Sequence, residues 1–184
     1  MTDLYLETRD MTVDGRNVIG RVVPYNETSY RVPGPTGERI RRGAFTRSID
    51  ERGDKVFLQR EHNKNAACEH PGERVGKAVR WGDGDDGLVG EFHIRQSDLG
   101  DQTLEEIADG WWPYLSVAFR SMRHTRGADG AIEVLEAALA HVALVGAGAY
   151  EGAQVLAVRH DPRTVLAGWP ERPEIDLSPV PRFW

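Results

Sequence analysis

The amino-acid sequence predicts an α+β domain that is mainly β. Short segments rich in β-branched residues recur along the chain, only two stretches carry a clear helical signature, and the last 23 residues hold five of the ten prolines. Residues 17–25 (NVIGRVVPY) read as a strand at a sheet edge, since Pro24 has no N–H for an interior ladder. Residues 43–51 (GAFTRSIDE) read as a short helix with Phe45 and Ile49 on one face. Residues 55–61 (KVFLQRE) read as a strand whose alternation continues to His62. In residues 88–95, Leu88, Gly90, Phe92 and Ile94 face one way and Val89, Glu91, His93 and Arg95 the other, giving one apolar and one wet side.

A second helix is predicted after Ser97, which caps it. Acids fill its first turn, Leu104, Ile107 and Ala108 are its buried side, and Gly110 stops it. Residues 114–122 (YLSVAFRSM) place Leu115, Val117 and Phe119 opposite Tyr114, Ser116, Ala118 and Arg120, so Ser116 faces away from the apolar row. Residues 131–145 (AIEVLEAALAHVALV) support two readings. Their Ala, Leu and Glu content favours helix, whereas the reversal at Ala128-Asp129-Gly130 and the alternation of Leu139, His141, Ala143 and Val145 favour strand. The prolines end the folded domain near His160, giving a domain over 1–160 and an extended proline-rich tail over 161–184, where Trp169, Phe183 and Trp184 are available for docking.

Charge and composition exclude several functions. With 23 basic and 29 acidic side chains, a net charge of −6 argues against nonspecific binding to nucleic acid or an anionic membrane, both of which need a cationic surface. A single cysteine, Cys68, rules out an intramolecular disulfide framework and fits a reducing compartment. The longest apolar stretch, 137–149, is interrupted by His141 and falls short of the ~20 residues of a membrane span. The start MTDLYLETRDM has no apolar core of a secretory signal, so a soluble intracellular protein is expected.

No P-loop, G-x-S-x-G elbow, H-E-x-x-H or paired C-x-x-C occurs. Three strand-like segments each carry one reactive side chain: VFLQREH with His62, WWPYLSVAF with Ser116 and ALAHVALV with His141. A serine hydroxyl needs a histidine base within reach and a third group to hold that base's tautomer, and these three residues supply the parts. His70 competes with His62 for the base, depending on how residues 63–68 loop out. Cys68 with His62, Glu69 and His70 offers zinc-binding atoms, but at no common structural zinc spacing. Arg120 and Arg159 are candidates for supporting an oxyanion hole; His93 and His124 read as surface residues, and Trp111-Trp112 as packing.

The order of GRVVPYN, ERIRRGAFTRSI, VFLQREH, VGKA with DGLVGEFHI, LGDQTLEEIADGWWPYLSVAF and HVALVGAGAYEGAQV resembles the prohead (capsid maturation) serine proteases of tailed bacteriophages, relatives of the herpesvirus assembly proteases. The likeness runs from about Val18 to Val158. It implies a closed mixed β-barrel flanked by a few helices, with 131–145 as strand. It further implies a serine endopeptidase working through an acyl-enzyme, with Ser116 as nucleophile, His62 as base and His141 as third member. Many phage relatives carry an acid at that third place; histidine stabilises the imidazolium of the base less well, so a modest intrinsic rate is expected. The implied substrates are the major capsid protein and scaffold polypeptides inside assembling proheads in the host cytoplasm, with self-association and self-cleavage and no metal or organic cofactor. The alternative is a noncatalytic assembly protein that keeps the barrel to bind capsid or scaffold.

Overall fold

The computed structural model describes residues 15–29, 37–62 and 73–159. The expected tail over 161–184 lies outside them. Among the described residues the strands are β1 (Asn17–Pro24), β2 (Thr28–Ser29), β3 (Glu38–Ile40), β4 (Phe57–Arg60), β5 (Glu73–Asp83), β6 (Gly87–Ile94), β7 (Tyr114–Arg126), β8 (Ile132–Val145) and β9 (Val155–Arg159). Two α-helices, α1 (Thr46–Arg52) and α2 (Asp98–Ala108), flank them. The strands form one sheet in the order β2-β3-β8-β4-β5-β6-β1-β9, with β7 added on β8. The fold is thus mainly β with mixed strand directions, and no helix is long and apolar enough to cross a membrane among the described residues.

β8 organises the sheet. Its composition favours helix, yet it pairs with β7 along nearly its whole length on one edge and with β3 and then β4, both parallel, on the other. Long-range pairing on two edges satisfies its backbone and overrides the weak helical propensity. The core face is filled by Val18, Val22, Leu58, Phe92, Leu115, Val142 and Leu144, all fully buried, and α2 contributes Leu104 and Ile107. Ser97 caps α2 by accepting a hydrogen bond from Gly100 N at 3.1 Å, and Gly110 follows the helix at a φ of +80°, as the sequence predicts.

The closed barrel expected from the resemblance is corrected: the sheet curls into an open half-barrel. Where closure would occur, β7 meets the chain ahead of β9 through one bridge, Tyr114↔Gln154, flanked by hydrogen bonds from Leu115 N to Ala153 O and from Val155 N to Pro113 O. β9 has five residues and pairs with β1, while β7 is committed to β8, so the two edges part beyond this point. Leu115 keys the seam into a notch at Gly20, where a Cβ would stand 2.3 Å from Leu115 Cδ1.

Three details of the sequence reading change. β1 is not an edge strand but lies between β6 and β9, with Pro24 at its end beyond the stretch that pairs with β9. The wet face of β6 carries a buried acid: Glu91 is 2% exposed, because β6 lies inside the sheet and its neighbours supply Arg80 and Asn17 as partners. The first helix starts at Thr46 rather than Gly43, whose φ of +79° belongs to the preceding turn.

Candidate active site

The predicted strand over 55–61 is shorter than expected, and His62 does not continue its alternation. β4 ends at Arg60, and Glu61 adopts a left-handed φ of +56° while its N–H donates to Leu144 O at 2.9 Å. For a residue with a Cβ that conformation costs on the order of 1 kcal/mol. The backbone turns there and His62 is brought against β8. Arg60 anchors the end of the strand: its guanidinium lies 2.8 Å from Glu106 of α2 and over the Trp112 ring, whose Nε1 donates to the same carboxylate at 2.7 Å. Trp112 is therefore a packing residue with a polar tether, and the hydrogen bond from it leads the causes holding the Glu106 carboxyl below its ordinary range.

His141 owes its position to a β-bulge. The partner of β7 jumps from His141, opposite Ala118, to Leu139, opposite Phe119, which leaves Ala140 unpaired. Without the extra residue, Leu139 and His141 would share a face, as simple alternation predicts. The bulge reverses the parity, so Leu139 joins Val142 and Leu144 in the core while His141, half-buried, stands on the opposite face.

Ser116 lies opposite Ala143, two positions along β8 from His141. Residues that face one another across a ladder share a side of the sheet, which puts Ser116 and His141 on the same face as diagonal neighbours. Leu115 is fully buried and Ser116 half-buried, in agreement with the predicted alternation. Among the described residues Ser116 has no hydrogen bond to either histidine.

The two imidazoles do meet. His62 Nδ1 and His141 Nε2 are 3.1 Å apart, with ring centroids 5.3 Å apart and planes tilted by 50°. Burial lowers the basicity of both; for His141 the neighbouring His62 and Arg74 add to this, while Glu61 partly offsets it for His62. Two neutral rings at hydrogen-bond distance need one donor and one acceptor. If His62 Nδ1–H donates to His141 Nε2, the remaining basic nitrogen of His62 is Nε2, the tautomer a general base for a serine requires.

The other candidates separate. Arg120 is exposed on β7, and Arg159 pairs through its backbone with Asn17, at the end of β9 away from the seam. His93 and His124 are exposed, as expected. His70, Cys68 and Glu69 lie outside the described residues, and no group of three or more metal-ligating side chains occurs among the described ones. The residue reading missed Glu61 and the bulge at Ala140, neither of which has a glycine or proline to announce it.

Comparison with known proteins first defines the class: residues 3–166 match a family of serine proteases, and hence of hydrolases. The chain belongs to the caudovirus prohead serine protease family. No curated protein matches it.

Proposed function

We propose that the protein is an endopeptidase that cleaves capsid or scaffold polypeptides during prohead maturation, acting inside the assembling shell in the host cell. Ser116 Oγ attacks the scissile carbonyl while His62 Nε2 takes its proton. The tetrahedral intermediate collapses to an acyl-Ser116 as His62 returns the proton to the leaving amine, and water, activated by the same imidazole, releases the acid. His141 accepts the His62 Nδ1–H and keeps that ring in the useful tautomer.

The observation that carries this reading is the 3.1 Å contact between His62 and His141 on the face that also bears Ser116, in a chain of this family. Catalytic hydrogen bonds are often long in resting enzymes, so the serine–histidine contact is expected to form with substrate bound. The proline-rich tail over 161–184 serves as an attachment or processing segment, and self-association with self-cleavage accompanies the reaction. A second reading, a noncatalytic assembly protein, draws its support from the missing Ser116–His62 hydrogen bond. Coexpression with the matching capsid protein, comparing wild type with Ser116→Ala by mass spectrometry, separates the two. Truncation by wild type alone is expected; capsid protein left equally intact by both under conditions that assemble shells would sink the protease reading.

A further inference from the structure

One charged side chain on the same face is not used by the proton relay. Arg74 of β5 stands opposite Gln59 of β4, Gln59 opposite Ala143 of β8, and Ala143 opposite Ser116 of β7. These four residues form a row across one side of the sheet. Three strand spacings separate its ends, about 14 Å, a distance that about four residues of extended peptide cover. Arg74 is exposed, and its guanidinium is held over the Phe57 ring 4.2 Å from the centroid. Stacking on an aromatic face restrains an arginine without neutralising it. Among the described residues no carboxylate pairs with Arg74; the adjacent Glu73 lies 4.0 Å from Arg60 instead. A fixed, exposed guanidinium with no carboxylate on it among the described residues, beside the proposed catalytic face, suits a planar anion, and in a polypeptide that anion is a carboxylate.

We propose that Arg74 is a specificity residue that binds an Asp or Glu side chain of the substrate a few residues from the scissile bond. This assignment rests on the protease reading above. It also gives the substrate a part in the chemistry: a carboxylate seated on Arg74 neutralises a cation that acts on His141, so the relay accepts a proton more readily once the correct polypeptide is bound.

The test uses the full chain and a library of mixed-sequence peptides, with new termini read by mass spectrometry and Ser116→Ala as the blank. Wild type should enrich Asp or Glu within five positions of the cut. For a peptide so found, replacing its acid by the amide should lower kcat/KM about tenfold, the scale of one charge-assisted contact. In Arg74→Ala that preference should fall to about one, Arg74→Lys should retain part of it, and Arg74→Glu should turn it toward Lys and Arg. Circular dichroism of each variant checks that the fold persists. Serine-dependent cleavage with no acidic preference, or a preference unchanged in Arg74→Ala, overturns the assignment alone. Absence of any serine-dependent product from wild type overturns the protease reading and the assignment with it.

Discussion

Two polar clusters stand on the wall of the same sheet, and each contains a histidine. Around β6, Glu91 accepts from Asn17 Nδ2 at 2.9 Å and from Arg80 Nε at 3.1 Å, while His93 Nδ1 lies 2.8 Å from Asn17 Oδ1. That cluster is balanced: a buried carboxylate meets a guanidinium and an amide. Around β8, His62 and His141 face one another with no carboxylate hydrogen-bonded to either ring among the described residues, next to a serine and a cation. The difference teaches that a histidine with a partner does not make a site. His93 too keeps a basic Nε2 once its Nδ1–H donates to Asn17 Oδ1; what distinguishes the second cluster is Ser116 on the same face as the rings.

Substitutions should pull the two clusters apart. The largest expected effect is that of His62→Ala, which should cut kcat/KM on a cleaved peptide by about 10³–10⁴-fold with little change in the urea midpoint. Glu91→Ala should do the reverse. It removes the buried carboxylate that the half-buried Asn17 amide and the Arg80 guanidinium share, so a loss of about 1–3 kcal/mol in urea unfolding is expected with activity per folded molecule kept within about twofold. His141→Ala should cost about 10–100-fold in kcat/KM, less than loss of either Ser116 or His62, and the opposite order in steady-state kinetics would remove His141 from the orienting role proposed for it. His141→Asp should raise the basicity of His62 and move the acidic limb of the pH–rate profile upward; in wild type that limb should lie below the ordinary imidazole range, since burial lowers His62.

The smallest effect concerns stability against pH. Because His62 and His141 are less basic folded than unfolded, the unfolded chain binds the extra protons. Their contribution is therefore complete above the ordinary imidazole range and declines as pH falls through it toward the depressed folded values. Denaturant midpoints at pH 7.5 and 5.0 should differ in that sense, and the difference should shrink in the His62→Ala, His141→Ala double variant.

Much of this architecture was legible where local chemistry and tertiary context agree. Ser97, Leu104, Ile107 and Gly110 specify α2, and the alternation around Ser116 survives folding. It was not legible where context decides against composition. The segment from Ile132 to Val145 is strand because β3, β4 and β7 claim its edges, information that lies in other parts of the chain. The meeting of His62 with His141 depends on a left-handed glutamate and an unpaired alanine, and neither residue type advertises its conformation. The resemblance grouped His62 with His141, which the fold sets 3.1 Å apart, while predicting a closure that the short β9 does not provide.

The open seam leaves the outer edge of β7 beyond Ser116 without a strand beside it among the described residues. Such an edge is a template on which a second chain can grow a fibre. Along it stand Arg120, Arg123 and Arg126, all exposed, with Arg123 3.8 Å from Glu136, so two copies approaching edge to edge bring mainly like charges together. The strand that presents the serine thus also carries its own safeguard against edge-to-edge aggregation.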